Sequence, residues 1–202
     1  MENKIIKESA AELLIKLGQA DQEKEKEIIN VINKHSLIAA AAGWVPIPFV
    51  DIALVVGNVW TMYASINKVI GISFSDNMLK SIGSGVVANL STSIISQALL
   101  SLLKIVPGIG LISAGLILTA GNYATCMAAG YVYLRALTAI TGKDGKIDES
   151  NPELKKTIRR AIKEQKEEGQ KMKDQIQKDY IIEKKAKEKR RIESYGRFHY
   201  RF

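Results

Sequence analysis

Few side chains in this sequence could carry out chemistry, and those few are far apart. The two histidines, His35 and His199, lie near opposite ends of the chain. The single cysteine, Cys126, lies in an uncharged run of small and apolar residues, which is typical of a buried side chain rather than a reactive thiol. Metal sites and acid–base pairs need several such groups close together. We therefore expect no catalytic residue, no metal and no cofactor, and a protein that is not an enzyme.

Three short motifs resemble ligand-binding loops, but each lacks a required feature. Gly108-Ile-Gly110 has no third glycine at the spacing of a dinucleotide-binding loop, and it follows a helix-like run. The segment 142–146 lacks Walker A spacing, and the acidic residues over 144–149 do not match the calcium-loop pattern. Residues 143–151 are therefore expected to form a solvated polar loop.

A stronger binding signal lies near the C-terminus, where six of the eight residues 184–191 are basic. Beside an anionic membrane surface, each lysine or arginine contributes about 1 kcal/mol of attraction. The same run would also suit nucleic acid, or would simply keep an exposed helix soluble. We favour anionic lipid headgroups or a protein partner over nucleic acid. The predicted contact residues are Lys184, Lys185, Lys187, Lys189, Arg190 and Arg191.

Charge divides the chain into three regions. Residues 142–202 hold 19 basic and 12 acidic residues, and so carry most of the formal net charge of +8. Residues 37–141 hold only four basic and two acidic residues, whereas about a quarter of the residues in a soluble domain are charged. This pattern predicts amphipathic N-terminal helices over 1–36, a hydrophobic helical-hairpin domain over 37–141, and a basic cytoplasmic helix and tail over 142–202.

The hydrophobic periodicity predicts an all-α fold in which helical hairpins with proline turns form the hydrophobic core. Amphipathic helices are predicted over 3–18, ending at Gly18, and from a cap at Asp21 through His35 to residue 42. Further helices are predicted over 52–70 and 76–105. Asn151-Pro152 begins a long basic C-terminal helix that is expected to reach Ser194.

The run 111–134 contains no charged residue. As a helix it would be about 36 Å long, enough to cross a hydrocarbon core of about 30 Å. Tyr131, Tyr133 and Arg135 would then end it as an interfacial belt. Small residues recur along it at helical spacing, however, and a core helix of a bundle shows the same pattern. The residues alone leave both possibilities open.

Two proline turns interrupt the hydrophobic region, and their apolar arms differ in length. Nine apolar residues, 37–45, precede the first turn, and at about 13 Å they are too short to span a bilayer. The second turn, 106–110, joins longer arms. We therefore predict a shallow hairpin at the first turn and a deep one at the second. The predicted membrane or partner contacts are Trp44, Pro46, Pro48, Phe49, Pro107, Gly108 and Gly110.

Five segments together resemble one bacterial family: Asn33–Ala40, Val45–Asp51, Ile70-Gly71, Leu102–Gly110 and Ala129–Leu134. The family is a GTPase-associated membrane domain of unknown function, to which YcjF-type proteins belong. The resemblance implies a helical, membrane-associated domain found beside or fused to a small GTPase, without established catalytic residues. Since this sequence shows no GTP-binding module, the resemblance implies that the GTPase is a separate partner.

These observations predict a non-enzymatic, membrane-associated helical protein that inserts hydrophobic hairpins and presents a basic helix to anionic lipid or a protein partner. The basic C-terminal region and the mixed-charge N-terminus predict an inner-membrane location with both termini cytoplasmic. A homo-oligomer is a further expectation. Two alternatives remain open: a soluble helical adaptor or scaffold with oligomer-buried hairpins, and a pore-forming or membrane-perturbing protein.

Overall fold

A computed structural model describes residues 2–45, 50–73, 111–148 and 150–199. The regular structure in these ranges consists of six helices, so the predicted all-α fold is confirmed. The helices are α1 (Glu2–Lys16), α2 (Gln22–Ala42), α3 (Val50–Ile70), α4 (Leu111–Ile140), α5 (Leu154–Glu164) and α6 (Lys166–His199). The predicted helix over 76–105 lies outside the described residues, as do Pro46, Pro48, Phe49, Pro107, Gly108 and Gly110.

Local sequence signals fix the ends of the first two helices as predicted. α1 ends before Gly18, whose φ of 67° lies in the region that favours glycine. Asp21 caps α2, because its carboxylate accepts hydrogen bonds from the amides of Glu23 (2.7 Å) and Lys24 (3.4 Å). α2 then continues past His35 to its end at residue 42.

α4 is the central helix of the bundle, and α1, α2, α3, α5 and α6 all pack against it. From Leu118 to Ile140 its side chains are buried, except those of Tyr123, Arg135 and Ala139. A helix that is apolar on every side requires cover of this kind. This part of the uncharged run is therefore a core helix surrounded by protein.

No helix within the described ranges is both long enough and apolar enough to cross a membrane. The predicted interfacial belt at the end of α4 is wrong, because Tyr131 and Tyr133 are buried in the bundle. Tyr133 stacks on Tyr63 of α3 with ring centroids 4.0 Å apart. Its hydroxyl donates a hydrogen bond to Asn67 Oδ1 (2.7 Å). Arg135 forms an ion pair with Glu12 of α1.

The C-terminal region departs from the single helix predicted from residue 152. The side chain of Asn151 accepts a hydrogen bond from the amide of Glu153 (2.9 Å), but α5 begins only at Leu154. The chain then turns at Gln165, whose side-chain oxygen accepts a hydrogen bond from the hydroxyl of Tyr131 (3.0 Å). α6 continues for 34 residues, about 51 Å, and is the long basic helix with a later start than predicted.

Candidate functional site

One end of the bundle is formed by the last turns of α2, the first turns of α3 and the first turns of α4. α2 and α3 are linked there by two contacts between one pair of residues. Asn58 Nδ2 donates a hydrogen bond to the carbonyl oxygen of His35 (2.7 Å), and Asn58 Oδ1 lies 2.8 Å from His35 Nδ1. Trp44 lies against α4, where a Cβ on Gly115 would be 2.8 Å from the indole ring. Trp44 therefore marks this end of the bundle.

The described side chains at this end are mostly apolar, and several of them are exposed to solvent. This end carries six of the eight exposed large apolar side chains in the described part of the chain, with exposed fractions from 36% for Ile117 to 61% for Leu37. Between Leu37 and Asn67 the sequence contains a single charged residue, Asp51. Exposed apolar clusters of this kind mark sites of protein or membrane contact. We call the following six residues the apolar end: Leu37, Ile38, Trp44, Val50, Leu54 and Ile117.

The core beneath the apolar end holds the thiol of Cys126, and the prediction that it is buried is confirmed. Its Sγ lies 3.7 Å from Asn58 Nδ2 and 3.8 Å from Met62 Sδ. Burial raises the pKa of Cys126 to about 12, so the thiol stays protonated at neutral pH. Among the described residues, no group of three His, Cys, Asp or Glu side chains could hold a metal ion. This arrangement provides packing and hydrogen bonding rather than a nucleophile.

The second candidate feature is the stretch 184–191 of α6, which we call the basic segment. The six basic side chains predicted to bind lipid or a partner are all exposed. The ammonium of Lys184 lies 5.3 Å from the centre of the Tyr180 ring. Lys187 forms an exposed ion pair with Glu183 (2.5 Å), a type of pair that contributes little to stability. The basic segment is therefore a positively charged, solvent-facing surface.

The structure describes only Trp44 among the contact residues predicted at the proline turns, and it places this residue half exposed in the apolar end. The other five residues of the apolar end are not among the contacts predicted from the sequence. A signal for two of them was present in α2, whose buried face contains Ile32. At 100° per residue, Leu37 and Ile38 lie about 140° and 120° around the helix from Ile32. The periodicity of α2 therefore already indicates that they face away from the core.

One comparison with known proteins bears on this chain. It is 32% identical over 111 residues to Magnetosome membrane protein 22 of Magnetospirillum gryphiswaldense. The alignment covers 52% of this chain and 55% of the relative, so it spans only about half of either protein. No protein-family model matches the chain, and no solved structure matches it. The resemblance to the GTPase-associated domain stays a prediction.

Proposed function

We propose that this chain is a non-enzymatic, membrane-associated protein whose apolar end inserts shallowly into one face of a lipid bilayer. The observation that carries the proposal is the apolar end itself. Three helix ends meet there and expose large apolar side chains with almost no charge between them. In water such a surface is unfavourable, whereas at the boundary of headgroups and acyl chains it is favourable.

The geometry supports shallow insertion. Leu37 lies five residues before Ala42, the last residue of α2, which corresponds to about 8 Å along the helix. Helices that lie at a membrane surface commonly bury their apolar face by about 5–10 Å. His35 and Asn58 follow directly behind this apolar stretch, and their hydrogen-bonded polar groups mark where favourable insertion ends. Trp44 has the amphipathic ring that is enriched at membrane interfaces.

The exposed area is large enough for reversible membrane binding. Complete burial of one large apolar side chain contributes roughly 1.5–3 kcal/mol. The six residues of the apolar end are each between one third and two thirds exposed. Burying their exposed portions would therefore contribute about 4–8 kcal/mol, before the cost of association is subtracted.

The similarity to a magnetosome membrane protein also supports membrane association, although it extends over only about half of each chain. The inner membrane as the location, the cytoplasmic position of both termini and a separate GTPase as partner stay predictions. For the alternative of a soluble adaptor, the favourable observation is that α1 and α2 pack against the central helix. That packing leaves the apolar end exposed, and the adaptor alternative requires a second protein to cover it.

The test is binding of the full chain to phosphatidylcholine vesicles, measured by cosedimentation. We expect Leu54→Glu to lower partitioning at least about tenfold, because it removes an apolar contact and adds a carboxylate to the inserted surface. The matched control is Ile15→Glu, since Ile15 is 66% exposed on α1. Its neighbour Lys16 donates a hydrogen bond to the carbonyl of Thr138 (2.6 Å), so Ile15 lies far from the apolar end. The control should bind as the unchanged protein does.

Insertion depth is measured by quenching of Trp44 fluorescence with brominated lipids. Trp60→Phe makes Trp44 the only tryptophan, since the chain has two. Quenching should be strongest with bromine near the headgroups. Equal effects of Leu54→Glu and Ile15→Glu on binding, or an unquenched Trp44, would contradict the proposal. Leakage of vesicle contents at saturating protein would instead support the membrane-perturbing alternative.

A further inference from the structure

We infer that the basic segment and the apolar end form one continuous membrane-binding face that selects anionic phospholipids. The inference rests on the proposed function, and it adds the class of lipid and the side chains that recognise it. Trp44 and Lys184 are 140 residues apart in the sequence. The packing of α6 on α4 brings the basic segment and the apolar end to the same end of the bundle.

Two contacts fix how α6 lies along α4. A Cβ on Gly169 of α6 would be 2.9 Å from the side chain of Val132. Further along, Tyr180 of α6 packs against Tyr123 with ring centroids 5.1 Å apart. Residue numbers rise along α6 as they fall along α4, so the two helices are antiparallel. α6 therefore runs toward the end of α4 where Trp44 lies.

The helical rise then places the basic segment at the level of the apolar end. Residues 184–191 lie about 6–17 Å beyond Tyr180 along α6. The same distances from Tyr123 along α4 lead to residues 119–112. Gly115, which contacts Trp44, falls within that range. Positive and apolar side chains thus share one end of the molecule, although nothing in the local sequence of either segment indicates this.

This combination of positive and apolar side chains matches an anionic bilayer better than it matches nucleic acid or a second copy of the chain. The stretch 183–191 contains six basic and two acidic residues, and so it has a clear positive excess. A bilayer offers phosphate groups to the basic side chains and acyl chains to Leu37 and Leu54 at the same time. Nucleic acid offers phosphates without an apolar phase. A second copy docked symmetrically on the apolar end would bring two basic segments together, which their like charges disfavour.

The test compares vesicles of phosphatidylcholine alone with vesicles that also contain phosphatidylglycerol, at low and high salt. The informative variant carries K184Q, K185Q, K187Q, K189Q, R190Q and R191Q. Each basic residue near an anionic surface contributes about fivefold in affinity. We therefore expect the variant to bind anionic vesicles at least about 100-fold more weakly at low salt, with unchanged binding to neutral vesicles.

A matched control removes positive charge elsewhere through K155Q, K156Q, R159Q, R160Q and K163Q on α5. These side chains are exposed. α5 ends one residue before Gln165, whose partner Tyr131 is about 24 Å along α4 from Gly115. The control should change binding to anionic vesicles by less than about threefold. Circular dichroism of both variants should show the helical content of the unchanged protein, because the substituted side chains are exposed.

The possible outcomes separate failure of the inference alone from failure of the proposed function. If the six-residue variant keeps the preference for anionic vesicles, the inference is wrong and the proposed function stands. If the unchanged protein clusters anionic vesicles, the two regions engage separate membranes, which overturns the single face. Binding to duplex DNA that depends on the basic segment, with vesicle binding unaffected, also overturns it. If the unchanged protein binds neither vesicle type, both proposals fail.

Discussion

Replacing Asn58 with alanine should weaken the contact between α2 and α3 just behind the apolar end. The substitution removes the hydrogen bond from Nδ2 to the carbonyl of His35 (2.7 Å) and the contact of Oδ1 with His35 Nδ1 (2.8 Å). A net hydrogen bond contributes about 0.5–1.5 kcal/mol, and a partner left unpaired in a buried site costs more. The imidazole of His35 is such a partner, because its residue is only 8% exposed. The carbonyl of His35 lies within α2. Loss of its bond to Asn58 costs less free energy than loss of the imidazole's partner, since carbonyls inside a helix also accept helical hydrogen bonds.

We therefore expect Asn58→Ala to lower the free energy of unfolding by about 2–3 kcal/mol. For a chain of this size that corresponds to a decrease in Tm of about 4–12 °C. The assay is urea and thermal unfolding followed by circular dichroism at the helical band. The matched control is Asn30→Ala, which makes the same change at an exposed position of α2 and should stay within about 0.5 kcal/mol.

A double-mutant cycle with His35→Ala separates the two contacts of Asn58. The cycle should give a coupling of about 1 kcal/mol for the contact between the side chains, because that contact is lost in either single variant. The remaining loss in Asn58→Ala reports the bond to the backbone carbonyl, which His35→Ala leaves in place. A folded Asn58→Ala protein as stable as the control, or a coupling near zero, would refute this account of the α2–α3 contact.

Two further predictions concern packing and pH. A Cβ on Gly130 would lie 3.0 Å from three side-chain atoms of Ile32, so Gly130→Val should cost about 1–3 kcal/mol and Ile32→Ala should recover part of that loss. Gly57→Ala, where nothing lies within 4 Å of the added Cβ, should instead stabilise α3 by about 0.5–1 kcal/mol; equal effects at both glycines in chemical unfolding would contradict the role of Gly130. Burial raises the pKa of Cys126 from 9.0 to about 12 and raises the pKa of Tyr133 above its ordinary value. Since these two groups ionise first in the unfolded chain, their contribution to the free energy of unfolding should be constant below about pH 8 and fall above pH 9, by up to about 1.4 kcal/mol per pH unit for each group. Cys126→Ala should make the decrease between about pH 9 and 10 shallower, and an identical slope would contradict the burial of the thiol.

The parts of the fold that could be predicted are those set by neighbouring residues. Asp21 caps α2 through amides two and three residues away, so the sequence pattern contains the whole interaction. Gly18 and Gly71, with φ of 67° and 71°, end α1 and α3 because only glycine adopts such angles without strain. The turn at Gln165 has no such local signal, since neither glycine nor proline occurs there. The sequence therefore does not predict this turn.

The surroundings of α4 could not be predicted, because they depend on distant residues. An uncharged helix can be covered by acyl chains or by amphipathic helices, and its own sequence is compatible with both. The sequence predicts Tyr133 as an interfacial residue, yet its hydrogen-bond partner Asn67 is 66 positions earlier in the chain. The candidate site has the same limitation. The charges of the basic segment are evident in the sequence, whereas their level beside Trp44 follows only from the antiparallel packing of α6.

The stacked pair of Tyr63 and Tyr133 provides an optical marker for the mode of membrane binding. Their rings are 4.0 Å apart and inclined by only 11°, and neither residue is accessible to water. Two phenol chromophores held in that geometry in an asymmetric core contribute to the near-ultraviolet circular dichroism, which is lost when tertiary packing loosens. If only the apolar end enters the bilayer, α3 stays against α4 and this signal survives binding. If the α2–α3 hairpin opens to insert deeply, the rings separate and the signal disappears while the helical band remains.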